Sequence, residues 1–165
     1  MPLKSSFDVK FQSLNGRGLN NSIKRQSIFC WLHHQRFHFT FLQETYSCKK
    51  CAQIWEAEWG GKVYFSHGSS NSKGLVTLVN LNLDLKVEKC IQDTNGRFLI
   101  LDLLIDELHL ILVNIYAPND VNQQVMFFKE PENQLKDFAQ ENIIIAVTST
   151  ALFLKMTKKE KNHSN

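Results

Sequence analysis

No run in this 165-residue chain approaches the ~18 to 20 consecutive apolar residues needed to span a bilayer. The opening residues MPLKSSFDVKFQ also lack the apolar centre of a secretory signal. These absences set the expectation of an intracellular protein, nuclear or cytoplasmic, that is neither secreted nor held in a membrane. Charge of one sign is scarce too. A net charge of +3 and a pI near 8.7 permit contact with a polyanion without requiring it. Much of that excess lies in the closing segment KMTKKEKNHSN, which reads as a solvated tail. Only four cysteines occur (Cys30, Cys48, Cys51 and Cys90), and they read as free thiols in a reducing compartment. There is no internal repeat and no linker. With 43% hydrophobic residues, the chain fits one domain whose core needs neither disulfides nor metals.

What is present is a series of apolar runs of strand length, divided by turn signals. FDVKFQSL breaks at NGRG, and FHFTFLQ ends at Gln43-Glu44. KVYFSH, GLVTLVNL, LKVEKCIQ, RFLILDLLI, LHLILVNIY and NIIIAV follow. Strands this apolar on both faces must be covered on both sides, and the hairpin-like spacings predict that part of the sheet is antiparallel. Residues 20–35 predict a helix capped by Asn21 or Ser22, with Ile23, Phe29 and Trp31 on its apolar side. Ser47 is a candidate cap for a short helix stopped by Gly60-Gly61. After APND a helical pattern runs through Val125, Phe128, Leu135 and Phe138, with Pro131 opening a second segment. The fold class is mixed α/β, layered sheets with helices outside.

Polar groups sit where three of these strands end: Asn15, Glu44, and Tyr116 with Asn119. Strand ends hold loop residues in fixed register and are where α/β folds build sites. A hard divalent ion such as Mg²⁺ takes oxygen ligands, commonly one or two carboxylates with waters and substrate phosphate. One Glu supported by an Asn amide oxygen suits that need. Asn15-Gly16 and Asn119-Asp120 are equally ordinary turn and cap chemistry.

The blocks SLNGRGLNNSIKR, FLQETYS, WGGKVYFSHGSSNSKGLVTLV, GRFLILDL and LVNIYAPND occur in that order between roughly residues 10 and 145. Together they closely resemble the N-terminal endonuclease domain of non-LTR (LINE-type) retrotransposons. That domain belongs to the exonuclease III-like endonuclease/exonuclease/phosphatase superfamily, which includes apurinic/apyrimidinic endonucleases. The resemblance implies a two-sheet α/β sandwich and Mg²⁺-dependent hydrolysis of one DNA strand. It matches Asn15 to the Asn that helps position metal and phosphate, and Glu44 to the metal-binding carboxylate. Tyr116 matches the Tyr that contacts the scissile phosphate, with Asn119 nearby. Lys24 and Arg25 follow the Asn15 loop, where basic residues of the family meet DNA phosphates; a solvated helix face accounts for them equally well.

The chain also departs from this pattern. Family members follow a strand like NIII with a Gly-Asp-Phe-Asn type motif that orients the attacking water. Here the same place reads ENIIIAVTSTALFLK, with no carboxylate at Val147 or Thr148. The family's later acidic residues and closing Ser-Asp-His motif are not present, and His163 lies in a polar tail without that context. The expectation is a C-terminally truncated domain over residues 7–149, with a divergent basic tail over 150–165. It is either an endonuclease inactive in this form, with Mg²⁺ binding weak or lost, or a non-catalytic remnant that binds nucleic acid weakly.

Other constellations weigh less. Cys48-Lys49-Lys50-Cys51 with Cys30, His33 and His34 invites zinc, but a strand separates the two groups. His33 and His34 suit a helix C-terminus. His67 follows a strand, and the resemblance gives it no certain role. Trp31, Trp55, Trp59 and Phe65 read as core. Finally, FTFLQ, LVTLV, FLILDLLI, LILVNIY and NIIIAV are expected to form one apolar sheet with one face uncovered. That face would favour self-association.

Overall fold

The computed structural model describes residues 8–138, 142–148 and 151–155. Among these residues, nine strands form two sheets. In the first sheet the order is β1 (Phe11–Asn15), β2 (Phe39–Gln43), β4 (Leu75–Val79) and β3 (Val63–Ser66). In the second it is β5 (Lys86–Gln92), β6 (Phe98–Ile105), β7 (Leu108–Ile115), β8 (Asn142–Val147) and β9 (Ala151–Lys155). Each sheet is mixed: β1 runs parallel to β2, and β7 parallel to β8, while the other pairs are antiparallel.

The five apolar runs therefore do not share one sheet. β2 and β4 belong to the first and β6, β7 and β8 to the second, and the two sheets pack face to face. Alternation explains how one strand serves two cores. Phe39, Phe41, Leu75 and Val79 meet Leu99, Leu101, Leu103, Leu110, Leu112, Ile144 and Ala146 between the sheets. On the outer face of the first sheet, Leu42, Val76 and Leu78 pack against Phe29, Leu32, Trp55 and Trp59. These come from helices α1 (Ser22–Gln35) and α2 (Ala52–Trp59). On the outer face of the second, Ile100, Ile111, Val113 and Ile143 pack with Phe127 of α3 (Val121–Leu135). The layering is helix, sheet, sheet, helix. The face expected to lie open is covered by the partner sheet, which removes the ground for self-association.

The helices differ in detail from their sequence patterns. Asn21 caps α1, its side chain accepting from the Lys24 amide. The buried face of α1 is Arg25, Phe29 and Leu32, at the i, i+4, i+7 spacing of one helical stripe. Ile23 is 75% exposed and Trp31 50% exposed, so neither is core. Trp55, Trp59 and Phe65 are buried as expected. A 3₁₀ turn over Lys49–Cys51 leads into α2, which ends at Gly60 in the left-handed region, φ 76°. α3 runs unbroken through Pro131, with Phe127 and Pro131 inward and Val125 exposed; Phe138 ends a separate 3₁₀ turn, Lys136–Phe138. The segment 151–155, grouped with the tail by sequence, is the fifth strand of the second sheet. The basic tail beyond it, His163 included, lies outside the described residues.

Candidate active site

Register brings the strand-end residues to one end of the sandwich. In the parallel β1–β2 pair, Asn15 stands opposite Gln43, so Glu44 is the first residue past the strand. Antiparallel pairing of Leu42 with Val76 brings Gly74 to the same end, and pairing of Ser66 with Leu75 brings His67 there. In the second sheet, Ile115 pairs with both Phe98 and Val147, which places Tyr116 and Thr148 side by side. The two ends are tied together by Gly74 N–H to Gly96 O (3.1 Å) and by Ser66 Oγ to Asp93 O (2.8 Å).

Glu44 is clamped from both sides through the backbone. Gly16 donates to Gln43 O (2.7 Å), Gly18 to Glu44 O (2.7 Å) and Leu19 to Thr45 O (2.9 Å). On the other flank, Thr45 donates to Gly74 O (3.0 Å) and Tyr46 to Lys73 O (2.9 Å). The clamp holds an unusual backbone. Glu44 (φ 50°), Tyr46 (φ 58°), Arg17 (φ 45°) and Lys73 (φ 59°) all adopt left-handed conformations there. Each such residue costs about 1 kcal/mol or more, and clusters of them mark functional sites. Gly18 (φ 78°) has a second constraint, because a Cβ there would lie 2.7 Å from the Tyr46 ring.

The Glu44 side chain is half-buried, and its carboxylate has no hydrogen bond or ion pair among the described residues. Asn15 Oδ1 accepts from Arg17 N–H (2.9 Å), the turn chemistry expected of it, and an amide oxygen keeps a second lone pair. Burial pushes the Tyr116 hydroxyl pKa up, helped by the charges of Glu44 and Tyr46, so these three groups face one region. Asn119 is exposed in the loop ahead of α3. His67 Nδ1 lies 3.1 Å from Ser47 Oγ and its ring stacks on Phe65. Burial, then nearby Lys49, lowers its pKa.

Two basic residues offered to phosphate are engaged by the protein itself, Arg25 inside the core and Lys24 on the surface. Arg25, 4% exposed, holds the Glu58 carboxylate with two nitrogens (2.5 and 2.8 Å) and also donates to Leu19 O. Lys24 donates to the carbonyls of Gly16, Arg17 and Gly18 (2.9, 2.9 and 2.8 Å). Its ammonium has three donors, and all three brace the Asn15 loop. Arg17, Lys49 and Lys50 are exposed near this end, with Lys73 half-exposed.

Thr148 occupies the end of β8, where the sequence departs from the retrotransposon-type pattern that it resembles. Its hydroxyl donates to Ile115 O (3.0 Å) and accepts from Ala117 N–H (3.2 Å). The group is 8% exposed, and both of its roles are taken by backbone. Beneath the site lies a polar contact that the sequence did not signal: Asn114, fully buried, joins Gln43 across the sheets. A polar residue inside an unbroken apolar run was the available clue.

Among the described residues, no group of three or more His, Cys, Asp or Glu side chains converges on a point. Cys48 and Cys51 are thus not joined with Cys30, His33 and His34 into such a group. At this end of the sandwich the described residues offer one carboxylate, Glu44, and one amide oxygen, that of Asn15. This is the least that suits Mg²⁺, whose remaining ligands are waters and substrate phosphate. No described helix is long and apolar enough to cross a membrane.

No protein-family model matches the chain. It is 26% identical over 137 residues to an uncharacterised 149 kDa protein of transposon TX1 from Xenopus laevis, covering 83% of this chain and 10% of that protein. The fold matches the AP endonuclease of Leishmania major (TM-score 0.63, 18% identity, 88% of this chain and 57% of that one). It also matches TDP2 from Caenorhabditis elegans (TM-score 0.60, 18% identity, 86% and 47%). A third match is an endonuclease/exonuclease/phosphatase protein from Bacteroides vulgatus (TM-score 0.63, 10% identity, 86% and 65%). The chain thus spans a tenth of the transposon protein and from 47% to 65% of these solved chains. Its fold is that of the endonuclease/exonuclease/phosphatase superfamily, and its similarity to a transposon protein agrees with the retrotransposon-type sequence blocks.

Proposed function

We propose that this chain is a retrotransposon-type endonuclease domain that carries the metal- and phosphate-facing half of the site and binds DNA without cutting it. The observation that supports this reading is the contrast between Glu44 and Thr148. The first is a half-buried carboxylate with no hydrogen bond or ion pair among the described residues; the second is a hydroxyl locked into backbone hydrogen bonds.

Glu44 and Asn15 would hold Mg²⁺, which when bound supplies charge stabilisation to a phosphate oxygen. Tyr116, with a hydroxyl that stays protonated, donates a hydrogen bond to phosphate. Arg17 and Lys73 flank Glu44 and offer cations to the neighbouring phosphates, the role first assigned to Lys24 and Arg25. Asn119 stands exposed at the rim, where an incoming strand would meet it. In-line attack also needs a group to orient and deprotonate water; the Thr148 hydroxyl is no base, and its proton is already donated to Ile115 O. Four free thiols suit a reducing, intracellular setting.

Incubation with supercoiled plasmid and Mg²⁺ tests the reading. The expected result is salt-sensitive DNA binding with no nicking above a buffer control. Robust Mg²⁺-dependent nicking that disappears in Glu44→Gln would replace this reading with that of a competent endonuclease.

A further inference from the structure

Four residues beyond Glu44, the chain places two thiols in contact. Cys48 Sγ and Cys51 Sγ are 3.5 Å apart. Cys51 Sγ also accepts from the Cys48 amide (3.1 Å) and donates to Cys48 O (2.9 Å), so its rotamer is fixed toward Cys48. The 3₁₀ turn Lys49–Cys51 sets this geometry, with Cys51 N–H donating to Cys48 O (3.1 Å). Sulfurs already in contact need only a small rotation to reach the ~2.05 Å of a disulfide. The surroundings are asymmetric. Lys49 and Lys50 stand exposed beside the pair. Contact with the Cys51 side chain lowers the pKa of Cys48, while burial raises that of Cys51. One sulfur is thus suited to attack as a thiolate and the other to wait as a thiol.

We infer that Cys48 and Cys51 form a thiol–disulfide exchange site that reduces an accessible disulfide, such as oxidised glutathione, and closes to an intramolecular bond. The Cys48 thiolate attacks one sulfur of the substrate, forming a mixed disulfide and releasing the other half as a thiolate. Cys51 then gives up its proton to that thiolate or to solvent and attacks Cys48 Sγ. The Cys48–Cys51 bond forms and the second substrate thiol leaves. Two protein thiols are oxidised and one substrate disulfide is reduced to two thiols, so atoms and electrons balance. This chemistry is independent of any role in DNA binding. The contact between the two sulfurs supplies what the exchange requires.

The test uses reduced chain and oxidised glutathione, followed by mass spectrometry after acid quench. Wild type is expected to lose two hydrogens, with the bond mapped to Cys48–Cys51. Cys51→Ser, which keeps a hydrogen-bonding atom in place, should accumulate a glutathione adduct at Cys48. That adduct should form several-fold faster than any at the exposed Cys30 or Cys90. Cys48→Ser should abolish the fast phase. Equal reactivity of Cys30, Cys48 and Cys90, or wild type that stays at the mixed disulfide, would overturn the inference.

Discussion

The Gln43 side-chain amide donates to Asn114 Oδ1 over 2.8 Å, linking the two sheets through an otherwise apolar interior. Asn114 in turn donates to Leu42 O (3.2 Å) and Val76 O (3.1 Å), and Ser13 Oγ meets the Gln43 amide. The bond lies one residue below Glu44 on β2 and two below Tyr116 on β7, so it holds both strand ends to one spacing. Asn114→Leu would strip a donor and two carbonyls of their partner. The expected loss is about 2–4 kcal/mol of unfolding free energy, measured by urea denaturation. A loss below about 1 kcal/mol would mean that water replaces the amide.

Glu44→Gln should abolish Mg²⁺-induced NMR shifts, which are expected to be weak and to cluster at Asn15, Glu44 and their neighbours. The proposed site holds one carboxylate, and among the described residues no group of three or more His, Cys, Asp or Glu supplements it. Binding that survives the substitution would move the cation elsewhere.

Gly18→Ala should weaken DNA binding more than it lowers stability at low temperature. Its φ of 78° is strained for any Cβ, and the added methyl would push the Tyr46 ring beside Glu44. Fluorescence anisotropy with a labelled oligonucleotide, alongside a thermal melt, reads both effects. Unchanged affinity would separate Tyr46 from the binding surface.

Stability should fall in acid through Glu58. Arg25 depresses the Glu58 carboxyl below its ordinary value of 4.5, outweighing a smaller opposing effect of burial. A depressed acid stabilises the fold fully above its unfolded value and loses that contribution as pH falls through the native one. Glu58→Gln should flatten this limb, and at neutral pH it should cost on the order of 3 kcal/mol by leaving Arg25 buried without a counter-charge. Urea midpoints from pH 3 to 7 check both; a parallel pH slope in the variant would reject the assignment.

Much of the fold was legible because strand-length runs and turn signals are local. The strand ends that gather Asn15, Glu44 and Tyr116 were legible for the same reason. The division of strands between two sheets was not. Phe39–Gln43 is buried throughout, so it carries no alternation to say which face meets which partner. The buried face of α1 was misread because Arg25 enters the core only through Glu58, 33 residues away. Ile23 and Trp31 remain outside because the helix turns that ion pair inward. Lys24 and Arg25 illustrate the limit well: a basic residue near a loop declares its charge, but not which oxygen it will satisfy.

The β6–β7 hairpin closes through Asp106 and Glu107, with Asp106 at φ 51°. Its eight residue pairs form between near neighbours in the chain, whereas Phe11 must find Phe39 across the whole of α1. Loop closure favours the nearer pairing. The hairpin is thus positioned to assemble first and to serve as the template on which the second sheet, and then the first, condense. Amides of Phe98–Ile115 should gain protection earliest in pulse-labelled refolding, and the Glu44 clamp should be among the last elements to close.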